Sequence, residues 1–167
     1  FLEDTFDTIC DHFPDYGYSP FMNEKFFDDW SHDLKWGIHQ ARCVVGHNLK
    51  VAWNLTRMHS LMPKESYKTF AHQIADAIPG AGCDNQRGGW YDMMERTLKD
   101  GEENYRRVWH DRKAWWQQEQ GILAYYIMAG VYDDKPEYLN YAREGSAFYN
   151  GWFLDYEEGG IYFNVLA

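Results

Sequence analysis

Two helical patterns separated by a single proline constrain this chain more than any other feature. After Gly46 the apolar residues Leu49, Val51, Ala52, Trp53 and Leu55 fall into helical register and continue through Met58, Leu61 and Met62, where Pro63 stops them. A second run from Lys64 to Ile78 carries Tyr67, Phe70, Ala71, Ile74, Ala75 and Ile78 on one stripe, and Pro79-Gly80-Ala81-Gly82 is expected to close it. Amphipathic helices joined by so short a turn lie side by side and bury their stripes against each other and their neighbours.

Other stretches read in the same way. Residues 1–12 look like the end of a helix, with Phe1, Leu2, Phe6, Ile9 and Cys10 on one face and Pro14 beyond it. Trp115 to Ala129 is expected to be a helix with Trp116, Gln120, Leu123 and Ile127 at three-to-four spacing, and Lys135 to Phe153 another. Aromatic loops lie between. Residues 13–36 carry Phe26, Phe27, Trp30 and Trp36, with room for a hairpin over 16–27. Residues 83–112 read as a long loop with short strands, and Ile161 to Val165 reads as a strand after the Asp155 to Gly160 turn. Loops of such length are usually functional or part of a larger assembly. The class is mainly α, built of helix pairs joined alternately by short turns and long aromatic loops. No sequence repeat is legible by eye.

The chemistry concentrates at the start of the central helix. His47 sits in its first turn, and Lys50 and Asn54 share its face. The positive end of a helix disfavours imidazolium, so the ring is expected to be neutral near pH 7 and usable as a proton acceptor. The plainer reading is a histidine that satisfies nearby backbone groups. His32 and His39 are expected to anchor loops, and His59 and His72 to be structural.

Composition narrows the partners. Aromatics make up 19% of the 167 residues, with eight Trp and thirteen Tyr, more than a core of this size needs. Surplus aromatics usually line a site, and sugar rings offer apolar faces that stack on them. A net charge of −10 offers no basic stripe to phosphate and argues against nucleic acid. Cys10, Cys43 and Cys83 form neither a metal-ligand pair nor a disulfide framework, which points to a reducing, cytoplasmic compartment. The sequon at Asn54-Leu55-Thr56 falls inside the proposed helix and is discounted. No run approaches membrane-spanning length, and no glycine-rich phosphate loop, His-Glu-x-x-His or cysteine cluster signals a cofactor or metal, so none is expected. The chain starts at Phe1 without a methionine and stops at Ala167 just after a strand-like run, so both ends read as cut.

Four motifs in order carry a family resemblance. Gly46-His47-Asn48-Leu49-Lys50-Val51-Ala52-Trp53 resembles the Gly-His-x-Ile-Glu-x-x-Trp segment of the N-acylglucosamine 2-epimerase and cellobiose 2-epimerase superfamily. Lys113-Ala114-Trp115-Trp116-Gln117-Gln118-Glu119-Gln120 resembles its tryptophan pair followed by Pro-Gln-x-Glu. Gly88-Gly89-Trp90-Tyr91 and Asp155-Tyr156-Glu157-Glu158-Gly159-Gly160-Ile161-Tyr162 fall where it has Gly-Gly-aromatic loops. The resemblance implies an (α/α)6 toroid of twelve helices, of which this chain, with about five, would be an incomplete portion. It implies His47 as one of two acid/base histidines, the second lying in a segment the chain does not reach. Trp115 and Trp116 would then supply a sugar-stacking wall, Gln118 a hydroxyl contact, and Trp90 and Tyr91 weaker loop contacts. Two departures stand out. The family's glutamate three after the histidine is Lys50 here, suited to an enediolate oxygen or to a carboxylate or phosphate on a different substrate. Gln120 replaces the glutamate after the tryptophan pair, with Glu119 one place early and about 100° round the helix.

Three readings of function follow. The first is a sugar epimerase or aldose–ketose isomerase that moves a proton next to the carbonyl of a reducing sugar. The second is an (α/α)6 glycoside hydrolase, for which Asp92, Glu95, Asp155, Glu157 and Glu158 are the candidate carboxylates. The third is a non-catalytic carbohydrate-binding or assembly subunit. The expected partners are a small sugar and either the missing remainder of the toroid or further copies of the chain.

Overall fold

A computed structural model describes residues 1–35, 37 and 41–166. Trp36 and His39 lie outside the described residues. Five helices dominate it: α1 Leu2–His12, α2 Val45–Leu61, α3 Glu65–Ala81, α4 Trp115–Val131 and α5 Glu137–Trp152. Four three-residue strands sit at helix ends: β1 Arg42–Val44, β2 Met93–Glu95, β3 Arg112–Ala114 and β4 Asn164–Leu166. β1 pairs antiparallel with β2 (Cys43 opposite Met94) and β3 with β4 (Lys113 opposite Val165). α2 packs against both α3 and α4, and α4 packs against α5.

This order is a repeat that the sequence hides. β1-α2-α3-β2 and β3-α4-α5-β4 are the same unit twice. The turn after each outer helix has one hydrogen-bond skeleton. Asp84 Oδ1 accepts from the amides of Gln86 and Arg87, and Asp155 Oδ1 from those of Glu157 and Glu158. Gly88 N donates to Asp84 O at 2.8 Å and Gly159 N to Asp155 O at 3.1 Å, and the bridges Cys83–Trp90 and Leu154–Ile161 close the two turns. Both glycine pairs have positive φ (87° and 79°, then 76° and 99°), which explains why glycine is needed there. The repeated motif is Asp-x-x-x-Gly-Gly-x-Tyr. Its helices share hydrophobic pattern rather than residues, because burial asks for apolar volume and not for identity.

Most expected elements are present, with four corrections. Pro79 does not end α3, which runs to Ala81. A proline at position i leaves the carbonyl at i−4 without its helical donor. That carbonyl belongs to Ala75, and the buried Tyr125 hydroxyl donates to it at 2.9 Å, so the helix passes through the proline satisfied. On α4 the buried stripe is Gln117, Gln118, Gly121, Ala124, Tyr125 and Met128, while Leu123 is exposed. Two glutamines and a glycine break the apolar pattern that periodicity relies on. Phe1 and Leu2 are exposed, and α1 packs through Phe6, Ile9 and Cys10. No hairpin forms over 16–27. Asp15 instead nucleates a turn, accepting from Tyr18 N and Ser19 N, and Phe26 bridges to His32.

Candidate functional site

α2 and α4 start side by side, and their first turns build one locked junction. Gly46 is closely hemmed in: a Cβ there would lie 2.7 Å from Gln117 Cγ and 2.8 Å from Trp116 Cζ3. That close approach lets Gly46 N, otherwise without a helical acceptor, donate to the fully buried Gln117 Oε1 at 2.7 Å. Gln117 Nε2 in turn donates to the carboxylate of Asp92, which also receives Arg112.

His47 emerges from this junction. It is half-buried, and its ring lies 5.5 Å from the Trp116 ring, tilted by 42°. Its Nδ1 lies 2.6 Å from Glu24 Oε2, while Glu24 Oε1 accepts from Val44 N at 3.1 Å. A carboxylate accepts, so this contact places a proton on Nδ1, and in a neutral ring Nε2 is then the acceptor nitrogen. With Lys50, Val51, Phe13, Met22 and Glu24, His47 lines an open pocket of about 240 Å³. The arrangement can hold a neutral imidazole in one tautomer and one orientation, as proton transfer to and from carbon requires.

Glu24 was missing from the sequence reading. It lies 23 residues from His47 in a loop without periodicity, so only the tertiary fold joins them. Three residues after the histidine, where the resembled family has a glutamate, Lys50 stands exposed. His59 and His72 are structural: His59 Nδ1 meets the backbone of Lys64 in the α2–α3 turn, and His72 Nδ1 meets the Tyr138 hydroxyl at 2.8 Å. His32 lies 3.8 Å from Asp15.

The other expected contact residues scatter. Trp116 faces His47, whereas Trp115 turns to the cluster of Phe148, Tyr149 and Phe153. Trp90 and Gln118, expected as contacts, are both buried in the packing around the first Gly-Gly turn, and Trp90 borders a cleft of about 280 Å³ apart from the His47 pocket. Trp90 stacks on Tyr125 and lies against Gly121 and Gly145, where a Cβ would approach it to 2.7 and 2.3 Å. Gln118 clasps the Gly-Gly turn, accepting from Trp90 N at 2.8 Å and donating to the carbonyls of Trp90 and Ala114. Its buried amide thereby pairs backbone groups that would otherwise be buried without a partner. Tyr91 lines a separate cleft of about 490 Å³ with Arg107, whose guanidinium sits 5.2 Å over its ring. Glu119 accepts from the Tyr149 hydroxyl at 2.7 Å, on the α5 side, and Gln120 Oε1 accepts from Trp53 Nε1 at 2.8 Å across the α2–α4 seam.

Three of the five carboxylates proposed for a hydrolase are engaged elsewhere. Asp92 is held by Arg112 and Gln117, Asp155 caps its turn, and Glu95 lies 3.7 Å from Lys99. Glu157 and Glu158 are exposed on the turn itself. Beneath the first Gly-Gly turn, Lys113 is fully buried with its Nζ 2.9 Å from Asp84 Oδ2. Burial alone would raise the Asp84 carboxyl, but Lys113 and the amides of Arg87 and Gln86 hold it below the usual carboxylate range.

The sequence matches no protein-family profile and no curated protein. Solved structures do match. Cellobiose 2-epimerase from Bacillus thermoamylovorans B4167 superposes with a TM-score of 0.75 at 18% identity, over 97% of this chain and 38% of its own. The fold is a portion of an (α/α)6 toroid. A D-mannose isomerase matches with a TM-score of 0.62 at 22% identity, over 86% of this chain and 34% of its own. A glycoside hydrolase family 76 mannosidase from Bacteroides thetaiotaomicron VPI-5482 matches with a TM-score of 0.59 at 15% identity, over 74% of this chain and 30% of its own. The chain therefore spans between a third and two-fifths of the length of the toroids named first. Within this portion α2 and α4 pack on each other as the inner pair, with α3 and α5 behind them and α1 beside α3. The superfamily resemblance of the four motifs thus holds at the level of the fold. Among the described residues no helix is long and apolar enough to cross a membrane, and no group of three metal-ligating side chains converges.

Proposed function

We propose that this chain supplies the proton-transfer histidine of a sugar epimerase or aldose–ketose isomerase. The observation that carries the reading is the Glu24–His47 pair at the tip of an inner toroid helix, beside Trp116 and at an open pocket. Nε2 of His47 takes the proton from C2 of an open-chain aldose, electrons move into the carbonyl, and an enediolate forms. Returning the proton to the opposite face of C2 gives the epimer; returning it to C1, with the O2 hydroxyl proton passing to O1, gives the ketose. Glu24 holds the ring through Nδ1 and stabilises the imidazolium that forms in between. Trp116 lends an apolar face to the sugar. The second acid/base group and the far wall come from the remainder of the toroid or from another copy of the chain.

The test is proton exchange. The intact protein is incubated with mannose, N-acetylmannosamine and cellobiose in heavy water, and C1 and C2 are followed by NMR. Deuterium at C2 with appearance of the epimer, or at C1 with a new ketose, is the expected result. His47→Ala should lower exchange by about 10²–10⁴-fold, and Glu24→Gln by less, with the fold unchanged by circular dichroism. One observation favours a second reading, a carbohydrate-binding or assembly subunit without chemistry: no second histidine among the described residues lines the His47 pocket. Sugar binding by a folded, intact protein that exchanges no label would select it.

A further inference from the structure

The pocket at His47 holds one carboxylate and one ammonium, and they are not paired with each other. Glu24 accepts from His47 Nδ1 and from Val44 N. Lys50 is exposed on the same pocket, and among the described residues its Nζ has no hydrogen bond or ion pair. That is notable in a chain with 26 acidic residues against 16 basic ones. Among the other lysines, Lys64 meets Asp7, Lys99 meets Glu95, Lys113 meets Asp84 and Lys135 meets Asp76, while Lys35 and Lys68 lack an ion pair among the described residues but line no part of this pocket. His47 and Lys50 are three apart on α2, so their Cβ atoms stand about 5–6 Å apart on one face. From one face the flexible lysine stem gives the ammonium reach to a second point of a ligand that His47 meets.

Resting on the reading of His47 as the proton-transfer group, we propose that Lys50 makes this site selective for a sugar bearing an anionic substituent remote from the carbonyl. The ammonium would bind the anion while His47 acts at C2. The shared chemistry is a negative group at C6, either a carboxylate or a phosphate. An ammonium stabilising the enediolate oxygen instead would act on every sugar alike, and the experiment separates the two.

Mannose, mannuronate and mannose 6-phosphate are compared in the intact protein and in Lys50→Gln and Lys50→Glu. Equilibrium binding is measured by calorimetry, and deuterium exchange at C2 by NMR. The wild type should bind and exchange one of the anionic sugars about 10–100-fold better than mannose, the range of one charge-assisted contact. Preference for mannuronate identifies a carboxylate, and preference for mannose 6-phosphate a phosphate. Lys50→Gln should erase that preference by lowering the anionic sugar toward mannose, and Lys50→Glu should reverse it. Equal handling of all three sugars by the wild type overturns the proposal, as does an equal loss on all three in Lys50→Gln. Binding is read without turnover. Charge-selective binding with no exchange would therefore retain Lys50 as the selective group and remove the catalytic reading. Exchange without charge preference would do the reverse.

Discussion

The turn at residues 84–91 and the turn at 155–162 have the same backbone, yet one lies inside the protein and the other on its surface. In the first, Trp90 is 3% exposed; at the matching place in the second, Ile161 is 49% exposed, with Tyr162 at 51% and Phe163 at 67%. The difference lies in what comes next. α4 follows the first turn and clasps it through Gln118. An earlier turn at Asp15 is clasped in the same way by α2, where Asn48 accepts from Met22 N at 2.9 Å and donates to Val44 O at 3.1 Å. No helix follows the turn at 155–162 among the described residues, and its apolar side chains stay uncovered. Each inner helix thus completes the turn before it. Burial of this motif is a property of the neighbouring unit and not of the motif itself.

The largest effects should separate the two turns by their buried anchors. Trp90→Ala removes a side chain packed on Tyr125, Gly121 and Gly145 and should cost about 3–5 kcal/mol in denaturant unfolding. Ile161→Ala should cost under about 1 kcal/mol, because little surface is buried there. A cost for Ile161→Ala as large as for Trp90→Ala in the intact protein would mean that a further unit covers the second turn.

The capping aspartates come next. Asp84→Asn leaves the buried Lys113 ammonium without its carboxylate and should cost about 3 kcal/mol or more at neutral pH. Asp155→Asn loses only an exposed turn cap and should cost about 1 kcal/mol or less. The pH dependence has a defined direction. The Asp84 carboxyl is held below its unfolded range near about 4. Its stabilisation is complete above that value and is lost as pH falls through the lower folded value. The gap between wild type and Asp84→Asn should therefore be full at pH 7 and close under acid. A gap that widened as pH fell would contradict the role given to Lys113.

Smallest are the clasps. Asn48→Ala and Gln118→Ala should each cost about 1–3 kcal/mol by leaving buried backbone groups unpaired. Similar costs would support one device used twice. A free Gln118→Ala variant would show that the turn holds itself.

The sequence by itself determined the helix pairs, because apolar periodicity and proline or glycine punctuation are local properties. It also carried the Gly-Gly turns, where positive φ demands glycine, and it singled out His47 by its place in a first turn. Only the tertiary structure decided that Trp90 and Gln118 are internal, since a buried indole and a sugar-stacking indole look alike in one dimension. The same holds for Pro79, which is tolerated because Tyr125, 50 residues from Ala75, supplies the missing donor. Glu24 beside His47 was likewise out of reach. Pairing between a loop and a helix tip depends on how the chain returns through space, and no periodicity records that.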